Sequence, residues 1–144
     1  GLDGFRPDYL DRAEAPRLRA LAERGVRAER MLPVFPSKTF PNHYSIVTGL
    51  WAEEHGIVAN NMRDPQLGRF TQRDAVAQNE PRWWGGEPIW ATAERQGVRA
   101  GIVSWPGSEA AIPNRPTWWQ RYDHDEAPNR KIAKVLRWLE LPRD

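Results

Sequence analysis

Pro33-Val-Phe-Pro-Ser-Lys-Thr-Phe-Pro-Asn-His-Tyr-Ser-Ile-Val-Thr-Gly49 decides how this 144-residue chain is read. The run predicts a loop turning into a short helix over Pro41 to Thr48, which Gly49 ends. Pro41 suits the first helical turn, because the N–H it lacks would have had no partner there. Unpaired N–H groups and the positive end of the helix dipole then lie beside Thr39. An oxygen at that place can meet a phosphate with its negative charge stabilised. Taken alone, Thr39 reads first as a helix cap.

The neighbouring motifs extend the reading outward. Asp3-Gly-Phe-Arg-Pro-Asp-Tyr-Leu10 precedes the run, and His55-Gly-Ile-Val-Ala-Asn-Asn-Met62 follows it. Trp83-Trp-Gly-Gly-Glu-Pro-Ile-Trp90 and Ser104-Trp-Pro-Gly-Ser-Glu109 come next. In this order the motifs resemble the nucleotide pyrophosphatase/phosphodiesterase family of the alkaline phosphatase superfamily, over nearly the whole chain. The resemblance implies an alkaline-phosphatase-like α/β fold, a layered sheet with helices on both faces. Residues 1–144 would form the N-terminal part of a longer catalytic domain.

Both ends also read as cut. A carboxylate followed by glycine, as in Asp3-Gly4, typically closes a buried strand of an α/β sheet. The apolar residues of such a strand would have to precede Gly1. The chain is long enough for one domain with a core, and no linker, repeat or low-complexity tract divides it.

Composition narrows the chemistry. A net charge of +2 implies no large basic field for duplex nucleic acid. The absence of cysteine excludes thiol catalysis, disulfides and cysteine-bound zinc. No signal peptide and no membrane-spanning run occurs in these residues. Eight tryptophans offer core volume or flat surfaces for a base or sugar. Trp83-Trp84 reads as an anchor for a long loop, with a carbohydrate or membrane-surface patch as the alternative.

Periodicity and breakers predict helices over Glu14 to Arg24, Pro88 to Gln96 and Pro128 to Leu139. The last is amphipathic, with Ile132, Val135, Leu136 and Leu139 on one side. Strands are expected over Val26 to Leu32 and, well buried, over Val98 to Ser104, with a strand end at Gly56 to Asn60. Asn61 to Gly86 reads as an irregular excursion and Pro106 to Pro116 as loop. The alternation points to an α/β layered architecture.

Phosphodiester hydrolysis needs a nucleophile, neutralised phosphoryl oxygens and a stabilised leaving group, which a two-metal site supplies. A metal-bound threonine hydroxyl becomes an alkoxide, and hard or borderline ligands such as Asp and His hold the ion. Asp3 is a fit ligand, its plain alternative being a turn aspartate. Asn60 can donate to a phosphoryl oxygen as charge builds in the transition state, or be a turn residue beside Asn61.

The resemblance assigns roles on these positions. It implies two zinc ions, with Asp3 and Thr39 among the ligands and the others beyond Asp144. It makes Thr39 the nucleophile of a phosphothreonine mechanism and Asn60 a substrate-binding residue. Phe40 and Tyr122 would flank a nucleoside base, with Trp105 and Glu109 in the same pocket. Lys38 reads as a phosphate clamp or a solvated lysine. His43 is structural, His55 and His124 have no assigned role, and no two histidines have zinc-pair spacing.

The expectation is therefore a zinc-dependent hydrolase of nucleotide phosphodiester or pyrophosphate bonds, extracytoplasmic like much of its family, and inactive as these 144 residues alone. The alternatives are a related hydrolase of phospholipids or phosphonates, or a non-catalytic tryptophan-rich binding module.

Overall fold

In the computed structural model, which describes residues 1–12 and 14–142, the chain divides into two units, Gly1–Pro33 and Val34–Asp144. In the first unit Tyr9–Arg12 forms α1 and Pro16–Arg24 forms α2. Pro16 opens α2 as predicted. Leu10 of α1 is buried, whereas α2 buries no residue fully. Arginines do much of the tying here: Arg19 Nε donates to the Leu10 carbonyl at 3.0 Å, and an Arg27 guanidinium nitrogen donates to the Pro7 carbonyl at 3.0 Å. Val26 to Leu32, expected as a strand, is irregular. Val26, Met31 and Leu32 are all strongly exposed. Apolar composition alone does not make a strand, which needs a neighbouring backbone to pair with.

The second unit begins with α3, Thr39–Thr48. It starts two residues earlier than the sequence predicts and ends at Gly49, whose φ of 71° lets its N–H reach the Ser45 carbonyl at 2.8 Å. Ala52–His55 forms α4.

The expected irregular excursion is instead ordered. Asn61–Asp64 (β1) and Gly68–Thr71 (β2) make an antiparallel hairpin with Met62 opposite Phe70. Ala75–Asn79 (α5) and a 3₁₀ turn at Pro81–Trp83 follow. The polar residues that suggested an irregular excursion are the turn and cap chemistry itself. Asp64 accepts from the Gln66 and Leu67 N–H groups, Asp74 from those of Val76 and Ala77, and Glu80 from that of Arg82.

Ile89–Arg95 forms α6, flanked by Pro88 and Gln96 as its caps. The expected long buried strand is only Gly101–Val103 (β3), and it is half-exposed. It pairs in parallel with Trp118–Gln120 (β4), Ile102 opposite Trp119. Pro128–Leu139 forms α7 within the bounds the sequence predicts. Its orientation is not the expected one. Lys131, Lys134 and Trp138 are the half-buried side chains, while Ile132, Val135, Leu136 and Leu139 are exposed. Trp138 stacks on Trp118 of β4 at 6.5 Å, and Lys134 pairs with Glu126 at 3.5 Å.

The fold is mixed α/β. Its core lies in the second unit and is largely aromatic: Phe40 and Tyr44 of α3 meet Ile57, Phe70, Trp83, Trp84 and Trp90. Trp83 and Trp84 are core residues, which removes the surface-patch alternative. Among the described residues no helix is long and apolar enough to cross a membrane.

Candidate active site

The N-terminus of α3 organises the site. Lys38 is the capping residue, in extended conformation, and its side chain makes no capping hydrogen bond. Thr39 is thus the first helical residue and not the cap, and it is half-buried. The unpaired donors of this helix end are few. Phe40 N–H donates to Asn60 Oδ1 at 2.9 Å, Pro41 has none, and Asn42 N–H reaches the Lys38 carbonyl at 3.2 Å. Asn60 therefore caps α3 from a distant part of the chain.

That bond also fixes the Asn60 amide. Its oxygen must face an N–H donor, so its NH₂ group is left with two donors. Asn60 is half-buried, and that NH₂ donates to none of the described residues. Two of the residues the sequence singled out on chemical grounds, Thr39 and Asn60, are brought together through Phe40.

Asn42 holds the loop that leads into Thr39, a role the sequence reading missed. Its Oδ1 accepts from Val34 N–H at 2.8 Å, and its Nδ2 donates to the Pro36 and Lys38 carbonyls at 3.1 and 2.9 Å. An amide in the first turn after a proline-rich loop is the signal that would have found it. His43 Nδ1 lies 2.8 Å from the Thr39 carbonyl. A carbonyl only accepts, so Nδ1 carries a proton.

Trp105 joins this helix start. Its Nε1–H donates to the His43 carbonyl at 3.0 Å, and the two rings meet edge-on at 4.8 Å. Phe40 is spent differently. Its ring is 8 % exposed and packs against Phe70 and Trp84. Tyr122 is 60 % exposed, with Lys131 over its ring at 4.8 Å and its hydroxyl 3.3 Å from His124 Nδ1. The ring partners of Phe40 and Tyr122 are thus separate sets.

Glu109 is buried, and burial pushes its carboxyl above the ordinary range. Its own backbone N–H, Arg121, Ser108 and Arg115 oppose that rise. Ser108 Oγ donates to it at 3.3 Å, and Arg121 Nε lies 4.0 Å away.

In the first unit, Asp3 sits with Gly4 in an exposed turn, where Gly4 has a φ of 67°. The same unit holds an open cleft of about 410 Å³ lined by Pro7, Asp8, Asp11, Arg27, Ala28 and Glu29. Pro7 and Asp8 belong to the first motif, but none of the candidate site residues lines the cleft. Its Asp8 and Asp11 are already paired with arginines. Among the described residues no three His, Asp or Glu side chains converge as a metal site. A closed zinc centre takes about four ligands, and the described residues alone bring no such set together. Asp3 and Thr39 each carry an oxygen of the kind that such a centre uses.

A family model for type I phosphodiesterase/nucleotide pyrophosphatase matches residues 1–144. The chain belongs to that family. Among its relatives, an uncharacterized pyrophosphatase/phosphodiesterase of Schizosaccharomyces pombe is 48 % identical over 144 residues, 98 % of this chain and 30 % of the relative. Ectonucleotide pyrophosphatase/phosphodiesterase family member 3 of Mus musculus is 41 % identical over 99 % of this chain and 17 % of its own length. Relatives of similar identity include the venom phosphodiesterase of Naja atra.

Two solved structures share the fold. One is murine ectonucleotide pyrophosphatase/phosphodiesterase 5, as an inactive threonine-to-alanine form in complex with AMP. It has a TM-score of 0.90 and 36 % identity over 98 % of this chain and 38 % of that one. The human protein 5 structure gives a TM-score of 0.90 at 38 % identity, over the same shares. This type I phosphodiesterase chain therefore spans well under half the length of the relatives it matches.

Proposed function

We propose that the protein hydrolyses phosphodiester or pyrophosphate bonds of nucleotides, with Thr39 as nucleophile. One observation carries this reading. Thr39 opens α3, and the neighbouring N–H holds Asn60 so that its amide NH₂ is left to donate. The inactive threonine-to-alanine form of the murine relative, bound to AMP, supports both the nucleophile and the nucleotide.

Asp3 and Thr39 would hold zinc together with ligands from outside these 144 residues. Bound zinc would lower the pKa of the Thr39 hydroxyl. Thr39 Oγ1, its proton given up to solvent, then forms a bond to phosphorus while the bond to the leaving oxygen breaks, and the leaving group departs with the electron pair. Water hydrolyses the resulting phosphothreonine, which restores the hydroxyl and releases the phosphate product. The Asn60 NH₂ donates to a non-bridging oxygen as its charge grows.

Tyr122 has exposed ring surface on which a base can stack, an interaction worth roughly 1–3 kcal/mol. In this reading Phe40, Trp105 and Glu109 would also lie around the base. The protein's relatives include ectonucleotide and venom enzymes, which supports an extracytoplasmic site of action.

In the full-length protein, Thr39→Ala is expected to abolish turnover of p-nitrophenyl thymidine monophosphate with the circular dichroism spectrum unchanged. Undiminished turnover would remove Thr39 from the mechanism. The 144-residue chain with added zinc is expected to show no turnover of the same ester, because two oxygen donors make a poor zinc site. Robust zinc-dependent turnover would refute that expectation.

A further inference from the structure

Ser45 and His55 form a buried hydroxyl–imidazole pair, with Ser45 Oγ 2.9 Å from His55 Nε2. By composition it resembles the nucleophile and base of a hydrolase. The second ring nitrogen decides against that role. Ile57 N–H points at His55 Nδ1 at 3.2 Å, and a backbone N–H can only donate. Nδ1 is therefore the acceptor of a neutral ring, and the proton lies on Nε2. The imidazole donates to Ser45 and has no lone pair with which to take its proton.

What the pair does is mechanical. His55 is fully buried. Its ring meets Tyr44 edge-on at 5.0 Å, and the Pro41 carbonyl also faces it. Its own carbonyl accepts from Gly85 N–H at 2.9 Å. A Cβ at Gly85 would lie 3.1 Å from that carbonyl oxygen, a tight contact that glycine avoids. Five residues later the same segment presents Asn60, whose Oδ1 holds Phe40 N–H. His55 to Asn60 is a strap pinned to α3 at two points, Ser45 and Phe40. Those points are about 7.5 Å apart along the helix.

We infer that His55 is a positioning residue for the reaction. Through Ser45 it fixes the register of the strap against α3, and so the place of the Asn60 amide relative to Thr39. This rests on the reading that Asn60 serves the phosphoryl group. A pin that only stabilised the fold would act independently of Asn60. A pin that sets Asn60 loses its effect once the amide is gone.

The test is a double-mutant cycle in the full-length protein with zinc, reading kcat and KM on p-nitrophenyl thymidine monophosphate. Asn60→Ala is expected to lower kcat by about 10²-fold, as loss of one oxyanion donor does. His55→Asn keeps an acceptor for Ile57 but no longer reaches Ser45. It is expected to lower kcat roughly tenfold with KM within about threefold. The double variant should be no slower than Asn60→Ala within about twofold. His55→Gln, which keeps an N–H reaching towards Ser45, should recover about half of the logarithmic loss.

Multiplying losses in the double variant, or unchanged kcat in His55→Asn, overturn the inference while leaving the role of Asn60 intact. Unchanged kcat in Asn60→Ala instead overturns the parent reading. Should His55→Asn not fold, Ser45→Ala replaces it in the same cycle, with about a threefold loss expected that Asn60→Ala abolishes.

Discussion

Helices α2 and α7 carry the clear apolar periodicity of this chain, and neither buries a residue fully. Helix α3 is far less amphipathic and buries Phe40, Pro41, Tyr44 and Ser45. A periodic stripe reports a helix with one covered side. A helix enclosed on several sides needs no stripe, and α3 is enclosed. His55, Trp84 and Trp105 meet it from three different parts of the sequence. The helix hardest to recognise by pattern is the one that carries Thr39.

The contrast should appear as a difference in stability. Tyr44→Ala empties the centre of the α3 packing and should cost about 3–5 kcal/mol, read from the urea midpoint of the chain. A loss below about 1 kcal/mol would break the comparison, because α3 would then be no better packed than α7.

Acid should also loosen α3. Burial lowers the His55 pKa from its ordinary value near 6.5, against weaker opposing contributions from the Pro41 carbonyl, its own backbone and Glu54. The unfolded chain therefore binds this proton more readily than the folded one. Stability should fall as pH drops below about 6.5 and level off once pH lies below the lowered value. Urea midpoints measured against pH check this, and His55→Gln should remove that component. An unchanged pH profile in the variant would mean the ring is not held neutral.

The smallest effect is expected on α7. Leu136 is 56 % exposed, so Leu136→Ala should cost no more than about 0.5 kcal/mol in the same assay. A cost of several times that would show the outward face of α7 to be covered, and would bring the two kinds of helix together.

Much of the fold was legible, for reasons particular residues explain. Pro16, Pro128 and Gly49 mark helix ends by backbone chemistry that tertiary packing does not override. The bounds of α7 followed from that chemistry, but its facing did not. Lys131 and Lys134 lie inward because Tyr122 and Glu126 receive their ammonium groups, and such partners are set by tertiary contacts. The hairpin β1–β2 was hidden because Asp64, Gly68 and Asp74 look the same in a loop and in a well-formed turn.

The motifs pointed to Thr39, Asn60 and Trp105, all three of which meet the first turns of α3. The bond from Phe40 N–H to Asn60 was not, since it joins residues twenty apart through one amide. Nor was the proton position on His55, which depends on where the Ile57 N–H points.

The Asn60 bond has a consequence for what can stand at position 60. In the proposed reaction the side chain needs an acceptor at one end for the helix and a hydrogen donor at the other for an anionic guest. Aspartate has the same shape and would keep the helix end closed, yet it would turn a like charge toward the incoming phosphate. The swap of a single NH₂ for an oxygen would thus leave the scaffold intact and repel the guest, which separates what this amide does for the architecture from what it does for the chemistry.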